Sequence, residues 1–246
     1  MPDSRWFRTF HPGPEAGPRL VCLPHAGGAA SAFFPLSTAL AGRVEVLAVQ
    51  YPGRQERRAE PAIESIPGLA EHLAGLLEPL TGRPLGLLGH SMGASVAFEL
   101  ASLLGDRVAA LFVSARRPPS RALPETVHML DDHGILANIR ELSGTDARLF
   151  ANEDLVRLAM PALRADYRAL GAYRPDRQAR LDVPISVLVG DDDPLTPVDS
   201  ARGWAAHTDG PCDTHVFPGG HFYINGWTTH VAEIVARTLQ TVAVTA

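Results

Sequence analysis

"LGLLGHSMGASVAFEL", residues 85–100, passes from apolar residues through a small polar knot into a second apolar stretch. Ser91 sits at its centre, flanked by His90 and Met92 and fenced by Gly89 and Gly93. The first half reads as a buried strand, and the second begins a helix at once. A serine at such a junction is either a passenger in a tight turn or a side chain held clear of the backbone. The rest of the chain decides between these readings.

Short apolar runs alternate along the 246 residues with longer helical patterns, which predicts a mainly parallel sheet covered by helices. The strand candidates are 19–23, 44–51, 84–89, 110–115, 185–190 and 214–219, with an edge strand near "WFRTF". Helical stretches are expected at about 31–41, 63–80, 92–104, 198–207 and 226–241. No repeat, low-complexity tract or linker divides the chain, so a single domain over 1–246 is expected. Residues 116–183 break the rhythm, because they separate two strands by far more than an ordinary connection. This interval is expected to be an insertion capping the sheet's C-terminal edge. Within it Leu155, Leu158, Ala162, Leu163, Tyr167 and Leu170 follow helical spacing, and Pro161 is expected to kink or divide that helix.

Composition excludes several classes of function. Net charge is −5, and all 22 basic residues are arginines scattered along the chain, so no basic stripe for nucleic acid forms. The N-terminus lacks the apolar core of a signal peptide, and no apolar run reaches bilayer length. A soluble cytoplasmic protein is expected. Cys22 and Cys212 match no zinc or redox spacing and are expected to be reduced thiols. No metal site and no cofactor are called for.

Gly89 to Gly93 fits G-x-S-x-G, a nucleophile elbow between strand and helix. A serine hydroxyl needs a base within hydrogen-bond reach, and in this arrangement an acid and then a histidine follow the serine in the chain. "FPGGHFYIN" places His221 just past a short strand on a Gly-Gly loop. His207 and His230 fall in helical pattern and read as surface or hydrogen-bonded residues, and His215 falls within a strand. For the acid, "GDDDP" offers three aspartates after the preceding strand. Asp193, set before Pro194, is chosen, with Asp192 its main rival. The backbone N–H of Met92 is expected to stabilise an oxyanion. A second N–H is expected from "LPHAGG", with Ala26 preferred to Gly27 and His25 bracing the loop. These features predict an α/β-hydrolase fold bearing a serine hydrolase site.

Beyond the elbow, "LPHAGG" (23–28), "YPGRQERRAEP" (51–61), "GHSMGA" (89–94), "SARRPP" (114–119), "MPALRADYRAL" (160–170), "GDDDP" (190–194) and "GGHFYI" (219–224) run through nearly the whole chain. With these segments the sequence resembles the type II, or external, thioesterases of polyketide and nonribosomal peptide synthesis. The resemblance implies hydrolysis of acyl groups from the phosphopantetheine arm of acyl or peptidyl carrier proteins, clearing stalled or misprimed units. It implies Ser91, Asp193 and His221 as the triad, Met92 and Ala26 as oxyanion donors, and the long insertion as a mobile lid. The carrier protein is the expected partner, with no nucleic acid or membrane, and a monomer is expected. Arg116 and Arg117 are candidates to meet a pantetheine phosphate or an acidic carrier face. Rival readings are a small-molecule carboxylesterase with the same triad and a non-catalytic ligand receptor on the same fold. A chain-terminating thioesterase integrated in a synthase is disfavoured, since no carrier domain precedes residue 1.

Overall fold

A computed structural model describes residues 5–143 and 153–245. Seven strands form one sheet: β1 (Phe7–Arg8), β2 (Arg19–Leu23), β3 (Glu45–Val49), β4 (Leu85–His90), β5 (Ala110–Ser114), β6 (Ile185–Gly190) and β7 (Cys212–Phe217). Their spatial order is β1-β3-β2-β4-β5-β6-β7, parallel except for the short antiparallel edge strand β1. The central strands are near-continuous Val, Leu and Ile because both faces of the sheet are covered.

Successive side chains leave a strand on opposite faces, and the core divides accordingly. Val21, Leu23, Leu47, Val49, Leu87, Leu111, Val113 and Val187 enter one apolar cluster with helices α2 (Ile66–Leu77) and α3 (Met92–Leu104). Leu20, Cys22, Val46, Ala48, Leu88, Phe112 and Leu188 enter the other with α1 (Phe34–Leu40) and α7 (Thr228–Thr245). Local sequence fixes the helix ends. Ser65 caps α2 by accepting from Gly68 N–H at 3.1 Å, and Ile66, Leu69, Ala70, Leu73 and Leu77 form its buried stripe. Cys22 is buried, Cys212 half-buried, and both are free thiols. No helix among the described residues is long and apolar enough to cross a membrane.

The long interval between β5 and β6 holds α4 (Asp132–Ser143) and α5 (Glu153–Ala172), the expected helical insertion. Pro161 lies inside α5 but does not divide it. Its ring faces solvent, while buried Met160, Ala162 and Leu163 tie the helix to the core on both sides of it. Leu163, Tyr167 and Leu170 are buried as their spacing predicts, but Leu158 is 61% exposed and belongs outside the stripe. The side chain of Leu155 lies outside the described residues. The helical stretch expected at 198–207 is a short turn, α6 (Val198–Ala201), followed by a 3-10 segment.

The chain runs from β2 outward to β3 and then back to β4 on the other side of β2. That reversal opens a crevice beyond the strands' C-terminal ends, where open α/β sheets place their ligands. The loops after β2, β4, β6 and β7 meet there.

Candidate active site

Ser91 holds φ 54° and ψ −115° at the junction of β4 and α3. A non-glycine residue at positive φ is strained, and such strain gathers where the surroundings over-determine the backbone. Here they do. A Cβ on Gly89 would collide with the Gly93 carbonyl, and one on Gly93 would collide with the Leu23 carbonyl at the end of β2. The two glycines therefore let the elbow close on itself and on the neighbouring strand. Ser91 N–H donates to the Ser114 carbonyl at 2.8 Å, fixing the turn to β5.

The loop after β7 brings His221 back over the sheet edge. It passes directly above the end of β6, where a Cβ on Gly190 would meet the Gly219 carbonyl. Gly219 itself takes φ +126°, open to glycine alone. His221 is thereby 2% exposed, with Nε2 at 2.9 Å from Ser91 Oγ and Nδ1 at 2.9 Å from Asp193 Oδ2. A carboxylate only accepts, so the His221 proton resides on Nδ1, and Nε2 is left to accept from the serine hydroxyl.

Asp193 is buried, and its second oxygen accepts the N–H groups of Leu195 (2.9 Å) and Thr196 (3.3 Å). The other aspartates of the run do different work. Asp191 Oδ1 accepts from Gly219 N–H at 2.9 Å and pins the histidine loop, while Asp192 is exposed. Asp193, not Asp192, is the residue that reaches His221.

The expected oxyanion loop, 25–28, is a tight turn in which Gly28 N–H donates to the His25 carbonyl at 2.9 Å. His25 braces this loop through its backbone; its ring stacks edge-on with His90 and Phe222 at 5.8 and 5.0 Å between centroids. Gly27 N–H donates to Asp166 Oδ2 of α5 at 2.7 Å, so the second choice of oxyanion donor is already engaged. Met92 opens α3, where the helix dipole presents positive charge to the elbow.

Two features of the site escape sequence reasoning. His90 is buried, with Nδ1 2.9 Å from Ser114 Oγ, which lies 2.7 Å from Tyr223 OH. Burial first, then the neighbouring His221 and His25, hold the His90 imidazole well below its ordinary pKa. His25 is likewise lowered, to about 4, by burial, then by His221 and Arg54. Among the described residues, only His221 of this ring cluster has a carboxylate partner. The second feature is a buried ion pair between Arg54 and Asp166, taken up below. Asp166 had a legible signal, an acid on the same stripe as Leu163 and Leu170; its partner in another segment had none.

Ser91 and His221 open into a cavity of about 300 Å³ whose walls include Ala115–Arg117, Leu123–Val127 and Pro194–Thr196. Arg116 and Arg117 line it and are half-buried. Arg117 Nε donates to the Leu195 carbonyl at 2.6 Å and Nη1 to Ser200 Oγ at 3.0 Å. Burial, more than any charge, lowers the Arg116 pKa. His207 is buried and hydrogen-bonded to Ser120 and the Ala179 carbonyl, while His230 is exposed. Among the described residues no group of three or more His, Cys, Asp or Glu side chains is arranged to hold a metal ion.

Residues 18–240 match the thioesterase domain family. The chain belongs to that family. The thioesterase is 51% identical over 226 residues to thioesterase PikA5 of Streptomyces venezuelae, covering 89% of this chain and 80% of that one. It is 44% identical to a probable cadicidin biosynthesis thioesterase of Streptomyces griseus, covering 96% of this chain and 66% of the relative. Among solved structures it superimposes on the type II thioesterase BorB from the borrelidin biosynthetic cluster with a TM-score of 0.90 and 47% identity, over 95% and 97% of the two chains. It shares the α/β-hydrolase fold of that protein, helical insertion included. The chain is a type II thioesterase, an enzyme that hydrolyses thioesters.

Proposed function

We propose that this thioesterase removes acyl groups from the phosphopantetheine arm of acyl or peptidyl carrier proteins, through an acyl enzyme on Ser91. In this reading it clears stalled or misprimed units from a polyketide or nonribosomal peptide assembly line. The observation that carries the residue assignment is the unbroken chain from Ser91 Oγ through His221 to Asp193, with both links 2.9 Å long. The pathway assignment rests on relatives whose names tie them to cadicidin and borrelidin biosynthesis.

In the first half-reaction His221 Nε2 takes the Ser91 proton as Oγ attacks the thioester carbonyl. Asp193 holds the ring in the Nδ1–H tautomer and stabilises the imidazolium that forms. The carbonyl oxygen gathers negative charge, which the N–H groups of Met92 and Ala26 receive; Gly27 N–H is committed to Asp166. Collapse expels the pantetheine thiol, protonated by His221. A thiol with a pKa of roughly 8.5 leaves far more readily than an amine, so little acid help is needed. In the second half-reaction His221 activates water, the same donors hold the second tetrahedral intermediate, and the free acid departs. The buried, neutral His90 beside His221 adds no competing positive charge while the imidazolium exists.

The cavity walled by 115–117, 123–127 and 194–196 is the proposed approach to Ser91, and Arg116 and Arg117 at its wall suit the pantetheine phosphate. A panel of acyl-carrier proteins, from acetyl to long and branched chains, tests the assignment when followed by mass spectrometry beside matched oxygen esters. Release of free acid from many carrier-bound chains is expected, with oxygen esters turned over far more slowly. Oxygen-ester turnover far above thioester turnover would overturn the assignment in favour of a carboxylesterase. An enzyme that ignores carrier-bound chains and cleaves only small thioesters would remove the carrier from it.

A further inference from the structure

Asp166 is an acid on the apolar face of α5, and it is 1% exposed. Its Oδ2 receives the Gly27 N–H at 2.7 Å and is paired with Arg54, itself 5% exposed. Arg54 comes from the loop after β3 and is held there by donating to the Pro52 carbonyl at 2.8 Å. Its Nε reaches the Gly28 carbonyl at 3.2 Å. One carboxylate and one guanidinium thus grip the 27–28 peptides from two sides. A third constraint is steric: Gly27 has φ +72°, and a Cβ there would drive into Leu163 of the same helix. Close packing under α5 therefore requires glycine on two counts. Burying two charges costs heavily in desolvation, and hydrophobic packing of the same volume often serves stability equally well. Stability alone gives no reason for an ion pair here.

We propose that Asp166 and Arg54 are positioning residues that set the 25–28 loop, and with it the Ala26 N–H, against the elbow, so that the insertion helix α5 is a structural part of the oxyanion hole. This rests on the reading of Ala26 as an oxyanion donor. The C-terminal half of α5 is then fixed during turnover, and any opening of the insertion for substrate must occur elsewhere. Neither side chain lines the cavity into which Ser91 and His221 open, so removing them is expected to spare binding there while stabilisation of the transition state is lost.

The test is steady-state hydrolysis of an acyl-carrier thioester together with the affinity of an alkyl boronic acid. Its tetrahedral adduct with a serine places an oxygen in the oxyanion hole. In Asp166→Ala, kcat should fall about 10- to 100-fold, reaching at most the low end of the roughly 100- to 1000-fold cost of losing an oxyanion donor outright, with KM within about twofold. Boronate affinity should fall in the same proportion. Should that variant not fold, as judged by circular dichroism, the double variant Arg54→Met/Asp166→Leu removes both charges at similar volume and should show the same paired losses. A folded variant with unchanged kcat, or with lowered kcat and unchanged boronate affinity, would overturn the proposal. Ala26→Pro removes the donor itself. If it leaves kcat and boronate affinity intact, the oxyanion reading falls and the positioning role with it. If it abolishes both while the ion-pair variants do not, only the positioning role falls.

Discussion

At the scale of single residues, Asp192 and Asp193 differ by one position and by their whole surroundings. Asp192 is exposed, while Asp193 is buried against His221 with its other oxygen satisfied by two backbone N–H groups. Asp193→Asn puts an amide opposite Nδ1 and allows the wrong tautomer of His221, so thioester kcat should fall about 10⁴-fold. Asp192→Asn should stay near wild type in the same assay. The elbow glycines answer to backbone geometry in the same local way. Gly93→Ala forces a methyl into the Leu23 carbonyl, and overpacking of that kind costs about 1–3 kcal/mol. Denaturant melts should show that loss together with reduced activity, since the residue that must shift adjoins Ser91.

At the scale of elements, α5 carries two leucines at neighbouring turns with opposite fates. Leu163 is buried against the 25–28 loop, and Leu163→Ala should lower unfolding free energy by about 2–5 kcal/mol. Leu158 is 61% exposed, and Leu158→Ser should change stability by no more than about 0.5 kcal/mol. Both are read by denaturant titration. Helical spacing placed both residues on one stripe, because a period of 3.6 gives the angle of a side chain but not how far the core extends along the helix. The same limit explains Pro161. Its sequence meaning is an interruption, and the packing of Met160, Ala162 and Leu163 overrides it. The strands were legible to within about two residues at each end, since apolar runs bounded by Gly and Pro leave little choice of where a strand lies. The hydrogen-bonded trio of Ser91, Asp193 and His221 could be picked out because each follows a strand, where chain order constrains geometry. The Arg54–Asp166 pair was not, because contact between a loop and a helix more than a hundred residues apart leaves no local pattern. His90 escaped for a related reason: its partners Ser114 and Tyr223 lie on two other segments.

At the scale of the whole molecule, the sheet's reversal between β2 and β4 gathers three histidine rings, His25, His90 and His221, at one end of the core. His25 and His90 are held neutral, with His25 lowered to about 4 by burial, then by His221 and Arg54, and His90 lowered well below its ordinary value by burial first. The unfolded chain protonates both near 6.5, while the folded chain does not, so stability is full above about pH 6.5 and is lost as pH falls toward 4. The slope should approach about 1.4 kcal/mol per pH unit for the buried His90, with a smaller share from the partly exposed His25. Chemical denaturation at stepped pH measures it. In the proposed function this architecture makes Ser91 a nucleophile toward carrier-bound thioesters. The most direct measurement is kcat/KM for an acyl-carrier thioester in Ser91→Ala against wild type, with both proteins shown to be equally folded. A fall on the order of 10⁴-fold or more is expected; a Ser91→Ala enzyme that still clears the carrier at the wild-type rate would contradict the claim.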